Sequence, residues 1–113
     1  MHPQLRRTPL LAAALLAAGL MAGCATRQPL NSVEDARTVV TRTANNPDVV
    51  RLAPLELKAA TDTLARADRV WTDDNDAAEA NHLAYLASQR AEIASNTARA
   101  RQLEADIKKA GSD

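Results

Sequence analysis

Phenylalanine is absent from this 113-residue chain, and Trp71 and Tyr85 are its only aromatic residues. A core built from large rings is thereby excluded, so apolar burial has to come from many small contacts. There is a single cysteine, Cys24, and no intramolecular disulfide can brace the fold. Three glycines are too few and too scattered for a phosphate-cradling loop. Two histidines, His2 and His82, fall short of the three or four converging ligands that a metal site needs. Neither sign of charge dominates, with 14 basic and 14 acidic side chains, which leaves no basic surplus for a nucleic-acid partner.

What the chain does have begins at its N-terminus. His2, Arg6 and Arg7 precede an apolar run of 11 residues, Leu10 to Leu20, followed by small residues up to Gly23. This is the order of a secretory signal. The run is shorter than the ~20 apolar residues a membrane-crossing helix requires. Leu20-Met21-Ala22-Gly23-Cys24 resembles the lipobox cut by the lipoprotein signal peptidase, with Met21 where leucine is usual. The resemblance implies cleavage between Gly23 and Cys24, then a diacylglycerol thioether and an N-acyl chain such as palmitate on Cys24. Several acyl chains hold a protein on a bilayer stably, since each buried CH₂ contributes about 0.8 kcal/mol. Ala25, where aspartate would retain the protein in the inner membrane, implies the periplasmic face of the outer membrane. Residues 24–30 then form a lipidated tether of about 20 Å when extended.

Removal of residues 1–23 leaves 90 residues, enough for one small core. Nineteen of them are alanine, the strongest helix former. Asn31 with Glu34 has capping-box spacing and opens an amphipathic stretch to about residue 45, where Asn45-Asn46-Pro47 stops it. A second helix is expected over 54–72, with Pro54 in its first turn and Leu57, Ala60, Leu64, Ala67 and Trp71 along one seam. Asp73-Asp74-Asn75-Asp76 forms a turn, and Asp76 with Glu79 opens a third helix over 76–109, ended by Gly111. The expected fold is all-α: a small antiparallel three-helix bundle or hairpin over 31–113 with a long Ala-rich third helix.

Three rows repeat every seven residues along that helix: Ala84, Ala91, Ala98 and Ala105; Ala80, Ala87 and Ala94; and Leu86, Ile93, Ala100 and Ile107. A hairpin centred near Asp74 would set Trp71 opposite Ala77, Leu64 opposite Ala84 and Leu57 opposite Ala91. Ala60 and Ala67 would face Ala87 and Ala80, letting the backbones approach toward the short end of the ~8 to 10 Å range. The third helix is the longer one. Either the first helix covers its overhang, or the stripe of Ala98, Leu103, Ala105 and Ile107 meets a partner.

Ala53-Pro54-Leu55-Glu56-Leu57, with Ala59, Ala60, Leu64, Ala67, the acidic turn and the Ala-rich third helix, resembles the domain-of-unknown-function 4398 family. Members are small envelope lipoproteins or exported proteins, and some carry an OmpA-type peptidoglycan-binding domain. The resemblance implies no catalytic residues. With the sequence ending at Asp113 instead of lysine or a further domain, no covalent or domain-borne peptidoglycan link is expected.

The remaining polar residues have ordinary readings. His82 has one nearby carboxylate, Glu79, and the Asp73–Asp76 cluster lacks the glycine and distant glutamate of a calcium loop. Ser32, Ser88, Ser95 and Ser112 have no histidine pairing legible in sequence. Arg90, Arg99, Arg101, Lys108 and Lys109 alternate with Glu92, Glu104 and Asp106, as on a solvated helix face. Asp62 with Arg66 and Glu104 with Lys108 have surface-pair spacing, and Trp71 and Tyr85 read as core or core-edge residues. The expectation is a non-enzymatic lipid-anchored envelope protein without cofactor or metal, acting through helix-mediated contact with another protein or itself. The alternative is a module binding a small hydrophobic or anionic ligand in a pocket lined by Leu57, Leu64 and Trp71.

Overall fold

A computed structural model describes residues 28–112. The signal segment, the Gly23–Cys24 cleavage point and most of the tether lie outside the described residues. Those described are helical, with no strand: α1 spans Asn31–Ala44, α2 Pro47–Leu52, α3 Pro54–Arg69 and α4 Ala77–Ser112. A wider π turn, Val70–Asp74, prolongs α3.

The local chemistry explains each boundary. Leu30, not Asn31, occupies the N-cap of α1, and its carbonyl accepts the first helical bond from Glu34 N at 3.0 Å. The expected Asn31–Glu34 capping box therefore does not form. Asn45 does end α1, but Asn46-Pro47 then starts a helix that the sequence reading took for a stop. Asn46 Oδ1 accepts from Asp48 N at 3.0 Å, and Pro47 follows at the first position, where its missing N–H costs nothing. The expected three helices thus become four among the described residues.

At the other end of α3, Asn75 adopts the left-handed conformation with φ 56° and ψ 28°, which its short polar side chain tolerates better than most. The Val70 carbonyl accepts from Asn75 N–H and, at 3.5 Å, from Asp76 N–H. Asp76 Oδ1 in turn accepts from Glu79 N at 3.0 Å, so Asp76 caps α4 as its spacing suggested. Helix α4 runs on past Lys109 and through Gly111, which faces open space and does not end it.

The chain runs up, down and up. Ser32 at the start of α1 donates to Asn81 near the start of α4, and Arg51 of α2 reaches Gln102 much further along α4 at 2.9 Å. Helices α1 and α2 therefore run alongside α4 in the same direction, and α3 returns between them. Arg37 ties α1 to α3 through Asp68 at 2.8 Å. Two apolar clusters result. Val33, Ala36 and Val40 of α1 pack with Ala60, Leu64 and Ala67 of α3 against Ala80, Leu83, Ala84, Ala87 and Ala91 of α4. Further along, Val49 and Ala53 pack with Ala94 and Ala98, flanked by Leu52 and Leu57.

Seven of these alanines, Ala53, Ala60, Ala67, Ala80, Ala87, Ala91 and Ala94, have no exposed surface at all. Small side chains at every level let the helix backbones come close, and dispersion between them replaces the large-ring core this composition excludes.

Leu57 flanks the cluster that holds Val49, Ala53, Ala94 and Ala98, whereas Ala91 belongs to the other cluster. Ala77 is exposed. The π turn leads into the reversal, where Asn75 takes the left-handed conformation. Arg90 donates to Thr63 across the hairpin. Tyr85, expected at the core edge, is exposed, and Asp62 pairs with Lys58 at 2.6 Å instead of with Arg66.

Candidate functional site

Ala53-Pro54-Leu55-Glu56-Leu57 forms the elbow between α2 and α3. Ala53 is wholly buried and is at once the C-cap of α2 and the N-cap of α3, with Pro54 opening the new helix. Arg101 of α4 closes this elbow. Its guanidinium donates to the Leu52 carbonyl, which α2 leaves unsatisfied at its end, and to Glu56 Oε1 at 3.1 Å. The other oxygen of the Glu56 carboxylate is buried without a hydrogen-bond partner among the described residues. The arrangement is a structural clamp.

The other residues singled out from sequence are dispersed. His82 is exposed on α4, and no group of three or more metal-ligating side chains converges among the described residues. Ser32 is engaged by Asn81, and Ser112 donates to the Lys108 carbonyl. Ser88 and Ser95 are half-buried on α4. Leu64 is buried in the core, and the shallow grooves of the surface are lined by other residues. One such groove, about 300 Å³, lies between α2 and α4 beside Asp48, Arg99 and Leu103.

The feature that stands apart is the far half of α4. Ala98 is its last buried residue, Gln102 is half-buried, and 103–112 are exposed. At 1.5 Å per residue those last ten residues extend about 15 Å beyond the bundle. Of the two expectations for the overhang, α1 covers only the first part of α4, the unforeseen α2 covers Ala94 and Ala98, and Leu103, Ala105 and Ile107 remain uncovered. Ile93, Leu103 and Ile107 are 54%, 56% and 70% exposed. With about 100° per residue, Ile93, Ala100, Leu103 and Ile107 share a face about 180° from the buried Ala87, Ala91, Ala94 and Ala98. Helix α4 is thus apolar on two opposite sides, and among the described residues only one is buried.

The opposite end of the bundle holds the first described residue. Trp71, half-buried on the π turn, donates its indole N–H to the Gln28 carbonyl at 2.9 Å. Gln28 therefore lies beside the α3–α4 turn, away from the overhang. No helix among the described residues is long and apolar enough to cross a membrane.

A family model described as Domain of unknown function (DUF4398) matches residues 31–110, from the first residue of α1 almost to the end of α4. The chain belongs to this family. No curated protein and no solved structure matches it. The DUF4398 match embraces both the Arg101-clamped elbow and most of the α4 overhang.

Proposed function

We propose that this DUF4398 protein is a non-catalytic lipoprotein of the bacterial envelope, held at the periplasmic face of the outer membrane by lipid on Cys24. Its work is helix-mediated contact with another protein chain. The observation that carries the reading is the division of the described residues into two ends: Gln28 lies beside Trp71, and the uncovered end of α4 lies at the other extreme. A lipid on Cys24 would set the α3–α4 turn against the bilayer and project residues 103–112 away from it. Glu104 and Asp106 balance Lys108 and Lys109 along that projection, so it carries no basic surplus, which suits a protein contact better than an anionic surface. The non-catalytic reading is supported by the sequence, in which no acid, base and nucleophile set is legible.

The test is mass spectrometry of the full chain expressed with its signal segment, combined with membrane fractionation. The expected product begins at Cys24, carries the mass of a diacylglycerol and an N-acyl chain, and sediments with outer membranes. A free Cys24 thiol, or cleavage at another site, would overturn the placement. Photocrosslinking from residues 103–112 in intact cells that recovered neither a protein partner nor a self-adduct would overturn the contact role.

A further inference from the structure

The unused face of α4 has the layout of a two-stranded seam. Ile93, Ala100 and Ile107 stand seven apart, with Asn96, Leu103 and Ala110 each three residues further on, which are the a and d positions of a heptad repeat. β-Branched residues at a with leucine at d favour a pair of strands over larger assemblies. All six lie on helix, and Ile93, Asn96, Ala100, Leu103, Ile107 and Ala110 are all exposed, so none of the described residues stands between this face and a partner.

We propose that the occupant of this face is a second copy of the same chain, paired in parallel and in register through α4. This rests on the anchored reading above and names its partner. Charge complementarity suits a second copy: Arg99 meets an acidic side chain of the other copy, Glu104 in the parallel register, and the two-fold axis repeats the contact. The direction comes from Asn96. Asn96 meets Asn96 of the second copy, amide against amide, whereas the antiparallel register with the most apolar overlap sets Asn96 against Ile107 and leaves a polar group unpaired. Copies tethered by the same end to one bilayer already share an orientation. The seam is short and buries less than the ~1,200 to 2,000 Å² of a stable interface, so it depends on the high effective concentration that the common membrane supplies.

The test is oxidative crosslinking of the full chain in its native membranes. Ile93→Cys and Ile107→Cys each place a thiol beside its own counterpart in a parallel pair, within the ~7 Å between α-carbons that a disulfide spans. Leu55→Cys on α3, 78% exposed, is the off-seam control. Copper phenanthroline should yield disulfide dimers from both seam variants and neither from Leu55→Cys nor from the unsubstituted chain. In the background of either seam cysteine, Arg99→Glu or Glu104→Arg should abolish the dimer, and the two together should restore it. An antiparallel pair would instead set Arg99 against Asp106, separate the two Ile107→Cys thiols by several turns and fail the rescue. Monomers from both seam variants, or swapped charges that do not rescue, would overturn the pairing. A dimer from the unsubstituted chain, made through a free Cys24 thiol, would overturn the anchoring alone, because the seam bands are read in the same samples with Cys24→Ser added.

Discussion

Across 2.9 Å, the indole N–H of Trp71 donates to the carbonyl oxygen of Gln28, fastening the segment before α1 to the π turn after α3. The bond spans 43 residues of sequence and fixes where the chain enters the bundle. Beside it, Leu30 packs on the first apolar cluster.

Trp71→Phe keeps an aromatic ring at the core edge and removes the donor. The expected loss is about 1 kcal/mol, the usual net worth of one such bond. It should be local. Hydrogen exchange at Glu34, whose amide makes the first bond of α1 to Leu30, should quicken, while amides of α4 around Ala87 keep their protection. Uniformly faster exchange throughout the bundle would show that the indole bond has no such local role.

The row Ala84, Ala91, Ala98 and Ala105 supplies an internal comparison. Ala91 has no exposed surface, whereas Ala105, two heptads on along the same row, is exposed. Ala91→Leu adds three carbons where helices already touch and should cost about 1 to 3 kcal/mol. Ala105→Leu should change stability by no more than ~0.5 kcal/mol. Urea denaturation followed by circular dichroism checks both, and equal losses would contradict the boundary of the bundle.

Much of this arrangement was legible in sequence because alanine at heptad spacing admits few alternatives. The rows containing Ala80, Ala87 and Ala94, and Ala84, Ala91 and Ala98, are the buried face of α4, and Ala60, Leu64 and Ala67 face them from α3. Less legible was the exact reversal between α3 and α4. Asp73, Asp74, Asn75 and Asp76 all favour turns, and composition does not say which of them takes the left-handed conformation. That choice falls on Asn75, and Leu57 lies against the cluster that holds Ala94 and Ala98. Helix α2 was hidden for a different reason. Asn-Asn-Pro both stops and starts helices, and six residues show too little periodicity to decide; Asn46 followed by Pro47 and Asp48 is the signal that could have revealed it. Arg101 was read as part of a solvated face because its partners, Glu56 and the Leu52 carbonyl, lie 45 and 49 residues away.

That clamp invites a direct measurement. Arg101→Ala should strand the Leu52 carbonyl and leave Glu56 beside a buried, unpaired oxygen, at an expected cost of about 1 to 2 kcal/mol given that both side chains keep some contact with water. Arg101→Lys should recover only part of it, because a single ammonium cannot present the planar fork that reaches both acceptors. Adding Glu56→Gln to Arg101→Ala should reduce the loss by removing the unpaired charge. Additive losses in this double-mutant cycle, followed by urea denaturation, would mean that the two side chains are not coupled.

The reversal itself turns on one backbone conformation. Asn75 is the only non-glycine residue with positive φ among those described, and it lets the Val70 carbonyl accept from two successive amides before Asp76 caps α4. Asn75→Gly relieves the steric cost of the left-handed region and should leave stability within about 0.5 kcal/mol of the parent, the gain offset by a more flexible unfolded chain. Asn75→Val sets a β-branched side chain against the carbonyl and should cost about 1 to 2 kcal/mol. Because α4 takes its register from this turn, the valine variant should also loosen Leu57 from its seat beside Ala94 and Ala98, which methyl NMR of Leu57 would detect. A valine variant as stable as the glycine one, with Leu57 undisturbed, would mean that the helices and not the turn determine their own alignment.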